Sequence, residues 1–499
     1  MPSTSPNPAD SLAASNLPST DETMSGKTPP VVRLLVLATF VVILNETIMV
    51  NAIPRLMADL GVTEVAAQWV STIFMLTMAA VIPTTGWFLQ RFSTRQAYAT
   101  AMSTFIVGTA LSAIAPNLPV LLGGRAIQAA GTAVMLPLLM TTLMTVVPQS
   151  DRGRVMGNVT LAMSVAPAMG PVVSGGLLAL GSWRLMFVSM LPLAAVVTWF
   201  GLKRLDNIGE TRTGSIDVLS VGLAALGFGS LVYGLSHFES GIRATPVGFT
   251  VAGLVVVATF VIRQLHLQRS GTPLLDLRVF RSGTYAISVA LMSVGFMAML
   301  GSMILLPLYL QSVRGLTPLE AGLLVMPGGI LMGLAGPRVG RTFDRVGARP
   351  LVIPGTVGVT LALAGFSQVS QTMPFWQLLG LHILLMLALA CTFTPVFTIG
   401  LSTQPPHLYS HGSSILSTLQ QVAAAFGTAL VITVMSARSA ALAEGGASAI
   451  AAQLGGMKLA FGISAAISLV VIALALALPN RAAKNVEELQ GEAEEYAPA

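Results

Sequence analysis

Two charged residues, Glu46 and Arg125, lie well inside long stretches of apolar sequence. A charged side chain is costly in such surroundings, so it marks a functional site by default. A carboxylate surrounded by apolar groups favours its protonated form, whereas a nearby guanidinium favours the ionised form. A carboxylate and a guanidinium in one poorly solvated cavity can therefore bind or release a proton when a substrate or a movement disturbs their balance.

The amino-acid composition indicates that these residues belong to a membrane protein. Of the 499 residues, 54% are hydrophobic and 9% are charged, whereas soluble domains carry about 25% charged residues. The net charge of +6 is accompanied by no basic stripe or nucleic-acid motif, so no nucleic-acid partner is expected. The single cysteine, Cys391, excludes an intramolecular disulfide, and no group of residues in the sequence is typical of a metal site.

Fourteen stretches are apolar over the roughly 20 residues that a helix needs to cross the hydrocarbon core. The predicted fold class is therefore an all-α polytopic membrane protein with 14 transmembrane helices. The predicted spans are 34–54, 68–89, 97–115, 118–147, 154–180, 183–202, 216–236, 246–263, 284–310, 318–338, 350–368, 375–401, 412–436 and 457–479.

The distribution of lysine and arginine predicts how these spans are oriented, because cytoplasmic loops of membrane proteins collect basic residues. With a cytoplasmic amino terminus, 19 of the 26 basic residues fall in cytoplasmic segments or at their edges, six fall outside, and Arg125 lies within a span. Both termini are therefore predicted to be cytoplasmic. Residues 1–30 are polar and lack a signal peptide, so they are predicted to form a disordered tail, and 480–499 a second tail.

A ten-residue pattern occurs twice, each time in a short predicted cytoplasmic loop between neighbouring spans. The copies are 254 residues and eight spans apart, whereas a plain duplication of six helices would separate them by six spans. We therefore predict that the seventh and eighth spans are inserted between two halves. The shared residues are Gly86, Arg91 and Arg95 in the first copy and Gly340, Arg345 and Arg349 in the second.

The second copy, which also contains Asp344 and Gly347, resembles the G-x-x-x-D-R-x-G-x-R loop signature of the major facilitator superfamily. The six-plus-two-plus-six arrangement resembles the fourteen-helix drug:proton antiporter branch of that family. Three further segments are similar to motifs of this branch. They are 44–54, similar to L-D-x-T-I-V-N-x-A-L-P; 125–131, similar to R-x-x-Q-G-x-G; and 166–176, similar to the glycine- and proline-rich antiporter motif.

The resemblance implies two pseudo-symmetric six-helix bundles, at 31–202 and 284–479, and a linker at 203–283 that contains the two extra helices. It implies a secondary active transporter, and not an enzyme, that exports small amphipathic compounds in exchange for protons by alternating access. The implied partners are a small-molecule substrate, protons and the lipid of a bacterial cytoplasmic membrane; the implied energy source is the proton gradient, without a cofactor, and the implied functional unit is a monomer. Two alternatives stay open: an exporter of an endogenous metabolite or lipid, and a membrane-embedded lipid-modifying enzyme.

By the same resemblance, Glu46, Arg125 and Gln128 are the proton-coupling residues. Glu46 and Arg125 are eight and seven residues from the outer ends of their spans, so both lie roughly 10–12 Å below the outer surface. Because the family fold places the first and fourth helices side by side, we predict that these two side chains pair directly or through water. In the alternative interpretation, Arg125 reaches the interface and Glu46 makes a static helix–helix contact. His382 is interpreted as a hydrogen-bonded interior residue, with a proton carrier as the alternative.

The fifth span carries Pro167, Gly170, Pro171 and Gly175, which the resemblance identifies as the antiporter hinge. Close helix packing is the alternative interpretation of this cluster. The repeated loops are expected to form a cytoplasmic gate in which Asp344 and the loop arginines make ion pairs. The alternative for these arginines is a role in topology alone.

Several positions depart from the motifs of the family. The branch has an aspartate in the first span where this chain has Asn45, and the carboxylate follows one residue later at Glu46. The first loop has Gln90 and Ser93 in place of an aspartate and a glycine, and Ala129 replaces a glycine in the fourth span. The second loop is therefore expected to carry the gate alone.

Overall fold

The computed structural model describes residues 28–205, 207, 216–240, 244–269 and 273–481, and helices are the only regular secondary structure in them. Most of the predicted tails, at 1–27 and 482–499, lies outside the described residues, as do 206, 208–215, 241–243 and 270–272 of the predicted linker. The α-helices are α1 (Pro30–Ile48), α2 (Ile53–Leu60), α3 (Glu64–Val81), α4 (Thr85–Arg91), α5 (Thr94–Ala113), α6 (Leu118–Val146), α7 (Arg152–Ala179), α8 (Arg184–Arg204), α9 (Val218–Ser236), α10 (Ala244–Leu267), α11 (Gly283–Ser312), α12 (Pro318–Val346), α13 (Arg349–Phe366), α14 (Phe375–Ser402), α15 (Tyr409–Glu444) and α16 (Ala449–Ala477).

These helices make fourteen passes in the described part of the chain. Helix α1 continues through a short 3₁₀ turn into α2, and α3 continues through another into α4, so each of these pairs is one pass. Thirteen helical runs are long and apolar enough to cross a membrane. The remaining pass, α5, is 20 residues long and contains several Thr and Ser residues, which lower its hydropathy. The predicted all-α polytopic membrane fold is confirmed.

Several helices end at other residues than the apolar stretches do. Helix α15 runs to Glu444 although the predicted span stops at 436, and α16 begins at Ala449, eight residues before its predicted span. The residues between are rich in alanine, which favours the helix without contributing strong hydrophobicity. Ser448 caps α16 by accepting a hydrogen bond from the Ala451 amide at 3.3 Å. The hydropathy pattern therefore detects the membrane-crossing part of these helices and not their full length.

Helices α1–α8 cover the predicted N-terminal bundle and α11–α16 the predicted C-terminal bundle, and we call them the N-terminal and C-terminal halves. The most extensive contact between the halves is formed by α7 and α12. The predicted insertion corresponds to α9 and α10, which pack on each other. Helix α9 also contacts α3 of one half and α15 of the other, so the insertion lies against the side of the two bundles.

Polar groups fix one end of the α9–α10 pair. Asp217 caps α9 and accepts two hydrogen bonds from Arg263, at 2.7 and 2.8 Å. These bonds, opposed by partial burial and assisted by Ser220, lower the pKa of Asp217 from 3.8 to about 2. Gln264, which is fully buried, donates to Ser220 and accepts from the amide of Leu274 at 2.8 Å. The chain that leaves α10 is therefore held against the insertion.

Both ends of the described chain lie on one face of the assembly, which we call the terminal face. Thr28 accepts a hydrogen bond from Asn158 of α7 at 2.9 Å, and the carbonyl of Asn480 accepts from the Ala348 amide at 2.8 Å. Because neighbouring passes run antiparallel, the two repeated loops, at the junctions of α4 with α5 and of α12 with α13, are on this face as well.

Candidate substrate cavity and inter-half contacts

A cavity of about 420 Å³ lies between the two halves. Its wall is mostly apolar, and flexible methionine side chains, which adapt to ligands of different shape, are prominent in it. The wall contains the methionines Met78, Met135, Met140, Met156, Met163, Met299, Met303, Met332 and Met386 and the aromatic residues Phe296, Phe393 and Phe397. Such a lining suits an amphipathic compound better than a sugar or another strongly polar molecule.

Polar side chains reach the cavity from both halves. Glu46 and Thr47 of α1 line it on one side, and His382 of α14 and Gln420 of α15 line it on the other. Among the described lining residues, Glu46 is the only carboxylate, and no lysine or arginine lines the wall. The cavity therefore presents a single acidic group to a ligand.

Arg125 is buried beside this cavity, with 1% of its side chain exposed. Its Nη1 donates hydrogen bonds to Gln128 Oε1 at 2.5 Å and to Asn45 Oδ1 at 3.3 Å, and its Nε donates to the Val70 carbonyl at 3.4 Å. The guanidinium also lies 4.2 Å from the centre of the Phe74 ring. Three helices, α1, α3 and α6, thus provide the partners that compensate the burial of this charge.

Glu46 and Arg125 interact electrostatically, but no ion pair or hydrogen bond joins them in the described structure. Successive residues of an α-helix point about 100° apart. Asn45 therefore faces Arg125, while Glu46 faces the cavity. Of the two predicted forms of pairing, the direct one is absent among the described residues, and the water-mediated one stays a prediction. Arg125 does not reach an interface, so that alternative is wrong.

The predicted hinge residues of α7 differ in their surroundings. Pro167 lines the cavity. A Cβ added at Gly170 would lie 2.6 Å from Thr47 Oγ1, so the glycine allows α7 to approach α1 next to Glu46. No described atom lies within 4 Å of such a Cβ at Gly175, which faces open space. The backbone of Pro171 is helical, and its side chain lies outside the described residues.

The second repeated loop connects the halves through Asp344. Its Oδ1 accepts a hydrogen bond from the Gly153 amide at 2.9 Å, and its Oδ2 accepts from the Arg154 amide at 2.8 Å. Both amides belong to the first turn of α7, where unpaired N–H groups and the helix dipole favour an anion. In the described structure, Asp344 does not form the expected ion pairs with loop arginines. It caps a helix of the opposite half instead.

The other residues of this loop have different contacts. A Cβ at Gly340 would overlap the Gly153 carbonyl, so only glycine allows α12 to approach α7 this closely. Gly347 has a φ of +88°, which favours glycine. Arg349 donates to the carbonyls of Leu476 and Leu478, within its own half. The side chain of Arg345 is exposed.

The first repeated loop also contacts the opposite half. Gln90 Nε2 donates a hydrogen bond to the His407 carbonyl at 2.8 Å. A Cβ at Gly86 would lie 2.7 Å from Nδ1 of His411, so this glycine gives α4 its close approach to α15. Arg91 and Arg95 are exposed, and no described residue forms an ion pair with either. The first loop therefore also joins the halves, because the Gln90 amide donates where an aspartate would accept. The expectation that the second loop carries the gate alone stays a prediction.

Hydroxyl groups add inter-half contacts that the sequence did not indicate. Three hydroxyl pairs join the halves, at distances of 2.7 to 3.0 Å, and they are Thr85 with Ser414, Thr141 with Ser413, and Thr160 with Thr394. Arg152 also donates to the hydroxyl of Tyr409 at 3.1 Å. Threonine and serine are common in apolar helices, so nothing in one sequence marks these pairs.

Comparison with known proteins decides the family. Residues 35–428 match the sequence profile described as Major Facilitator Superfamily. The chain belongs to this superfamily. It is 38% identical to the "Uncharacterized MFS-type transporter YcnB" of Bacillus subtilis, over 91% of this chain and 96% of that protein. It is 36% identical to the "Lincomycin resistance protein LmrB" of Listeria monocytogenes, over 83% of this chain and 88% of that protein.

Solved structures of the Major Facilitator Superfamily have the same fold. The proton:xylose symporter XylE superposes with a TM-score of 0.64, at 15% sequence identity, over 92% of this chain and 98% of that one. At this identity the likeness shows the fold alone. Membership of the superfamily makes the chain a multi-pass membrane transporter for small molecules and not an enzyme, so the alternative of a lipid-modifying enzyme is wrong.

Proposed function

We propose that this Major Facilitator Superfamily transporter exports small amphipathic compounds, drug-like or toxic, in exchange for protons. The observation that carries the proposal is the position of Glu46, the only carboxylate among the described residues that line a methionine-rich cavity between two halves. A cationic substrate and a proton compete for one carboxylate, and this competition couples their movements. The lincomycin resistance of a relative supports export as the direction.

Alternating access would proceed by movement of the N-terminal half against the C-terminal half. The hydrogen bonds of Asp344, Gln90 and the three hydroxyl pairs join the halves from the terminal face to the depth of Thr160. The excess of basic residues supports a cytoplasmic position of this face and of both termini. In the proposed cycle, this conformation closes the cytoplasmic route to the cavity, and a proton from outside reaches Glu46.

The energy source would be the proton gradient, without a cofactor. After protonation of Glu46, the halves open toward the cytoplasm, a cationic substrate enters, and the proton leaves to the cytoplasm. Because one chain contains the whole cavity, we propose a monomer in the cytoplasmic membrane of a bacterium as the functional unit.

The test uses the full chain, purified in detergent, with ethidium as the cationic probe. In weakly buffered solution, the wild-type protein should release protons when ethidium binds, and Glu46→Gln should release at least tenfold less, because an amide carries no titratable proton. In proteoliposomes with an imposed pH gradient, the same variant should lose ethidium accumulation.

The matched control is the double variant Asn45→Asp with Glu46→Gln, which moves the carboxylate by one residue toward Arg125. We expect it to release few protons, because its carboxylate pairs with the guanidinium instead of facing the ligand. Normal proton release by Glu46→Gln, in a sample that elutes as the wild type does in size-exclusion chromatography, would show that Glu46 does not couple transport.

A further inference from the structure

The C-terminal half contributes a histidine to the cavity, opposite the half that carries Glu46. We propose that His382 recognises the substrate as a hydrogen-bond acceptor, so that cations bearing a hydroxyl or amide N–H group bind more tightly than cations without one. This inference rests on the proposed function, since it takes the cavity as the substrate site. It concerns which compounds are preferred and not how transport is driven.

The hydrogen bond of the ring fixes which of its nitrogens carries the proton. His382 Nε2 lies 3.0 Å from the carbonyl oxygen of Val325 in α12. A carbonyl oxygen only accepts, so Nε2 must be the donor. In the neutral ring, Nδ1 is then unprotonated and acts as an acceptor. The ring therefore offers a lone pair and not an N–H group at its second nitrogen.

Nδ1 has no hydrogen-bond partner among the described residues, although His382 is only 2% exposed. A buried acceptor without a partner costs free energy and calls for an explanation. Because His382 lines the cavity, a ligand in the cavity can supply the missing donor. The structure thus contains a buried polar atom that a substrate would satisfy.

The packing of α12 holds the ring in this orientation. A Cβ added at Gly328 would overlap the ring edge and lie 2.7 Å from Nε2, so the glycine makes room for the imidazole against the helix. Gly329, the next residue, contacts Ala168 of α7 in the other half. The acceptor is therefore preorganised on a part of α12 that touches the opposite half, which reduces the entropic cost of recognition.

A second unpartnered group on the same side of the cavity has the opposite hydrogen-bonding character. Gln420 of α15 is 6% exposed, and its Nε2 has no acceptor among the described residues. The cavity wall thus offers an acceptor, a donor and, from the other half, the carboxylate of Glu46. A ligand that uses all three has an apolar body, one cationic centre and a neutral polar group with both N–H or O–H and carbonyl or ether character.

The experiment compares two phosphonium cations that differ in one hydroxyl group: tetraphenylphosphonium and its mono-(4-hydroxyphenyl) analogue. Binding to the purified full chain is measured by isothermal titration calorimetry. One hydrogen bond contributes about 1 kcal/mol net, which is about fivefold in Kd. The wild-type protein should therefore bind the hydroxyl analogue about fivefold more tightly than tetraphenylphosphonium.

Two substitutions separate recognition from structure. His382→Gln keeps a donor near the position of Nε2, for Val325, but has no acceptor at Nδ1, and it should bring the ratio of the two Kd values close to one. His382→Asn keeps a polar oxygen near the position of Nδ1, and it should retain part of the preference. Both variants should still release protons when tetraphenylphosphonium binds, because Glu46 is intact.

Each other result overturns the inference. Equal affinity of the wild-type protein for the two cations, or a full preference in His382→Gln, means that Nδ1 does not contact the hydroxyl group. Loss of proton release in His382→Gln means that the histidine carries the proton instead. If the wild-type protein binds neither cation, the proposed function itself fails, whereas coupled binding of tetraphenylphosphonium without discrimination contradicts only the role of His382.

Discussion

At the scale of single residues, Asn45 and Glu46 share two tasks that one aspartate at position 45 would have to combine: binding Arg125 and presenting a carboxylate to the cavity. Asn45 accepts the hydrogen bond of Arg125, and the neighbouring Glu46 points into the cavity. The neutral amide satisfies the guanidinium without neutralising it, so the positive charge continues to act on Glu46. The carboxylate is free to bind a proton or a ligand, because it forms no ion pair among the described residues.

Asp217 provides a prediction at this scale. Because its pKa is lowered from 3.8 to about 2, Asp217 stabilises the folded protein above about pH 4, and this contribution is lost as the pH falls toward 2. Asp217→Asn should lower the thermal unfolding midpoint by about 2–4 °C at neutral pH. The difference from the wild-type protein should shrink as the pH falls below 4, because the carboxyl then binds a proton in the unfolded chain and, closer to pH 2, in the folded protein as well.

The measurement is a thermal melt of both proteins in detergent between pH 7 and pH 3. Asp59→Asn serves as control, because Asp59 forms an exposed ion pair with Arg55 within one helix, and such pairs contribute little to stability. A difference between Asp217→Asn and the wild-type protein that stays constant down to pH 3 would argue against ionisation as its cause.

At the scale of helices, the pair formed by α7 and α12 joins the two halves and changes character along its length. Near the terminal face, glycine allows the backbones to touch: a Cβ at Gly157 would overlap the Gly336 carbonyl. Toward the other end of α7, Gly175 faces open space. Close packing therefore explains why residue 157 is a glycine. It does not explain the glycine at position 175 in this conformation.

Two alanine substitutions test this difference within one helix. Gly157→Ala should separate α7 from α12, lower the unfolding midpoint by several degrees and reduce ethidium transport, because overpacking costs about 1–3 kcal/mol. Gly175→Ala should leave the midpoint unchanged within about 1 °C. If Gly175 belongs to a hinge, transport by this variant still falls, because alanine stiffens the helix; unchanged transport would remove Gly175 from the hinge.

At the scale of the whole molecule, the hydrogen bonds described above join the two halves on the side of the terminal face. The cavity lies deeper in the molecule, beyond these bonds. Among the described residues that line the cavity, none belongs to the insertion of α9 and α10. It lies at the side, in contact with both α3 and α15. The cavity therefore belongs to the two halves, and in the proposed mechanism their relative movement decides which side has access to it.

A cross-link between the halves tests this movement. The hydroxyl oxygens of Thr141 and Ser413 are 3.0 Å apart, so cysteines at these positions are close enough to react. In a Cys391→Ser background, the variant Thr141→Cys with Ser413→Cys should lose at least nine-tenths of its ethidium transport on oxidation and regain it on reduction. Each single-cysteine variant should be insensitive to oxidation. Full transport by the cross-linked protein would exclude opening of the terminal face as a step of the cycle.

The sequence by itself determined the membrane fold and the two charges within apolar stretches, and it predicts the insertion of two helices. These features depend on composition and spacing. The length of an apolar stretch indicates a membrane crossing, and two loop copies that are eight spans apart indicate two helices more than a duplication of six. The motifs also predict roles for Asp344 and Gln128. The sequence did not show which groups the loop residues bind. No pattern along the chain indicates that Asp344 caps α7 or that Gln90 donates to the His407 carbonyl.

Only the tertiary structure decided which way each side chain points. Residues 45 and 46 are adjacent in the same apolar stretch of sequence. The rotation of about 100° between them directs Asn45 to Arg125 and Glu46 to the cavity. The acceptor of His382 likewise exists only because Gly328 lets the ring approach Val325 from another helix. Hydropathy depends on the neighbours of a residue along the chain, whereas the partners of a polar atom depend on helices that pack beside it from distant parts of the chain.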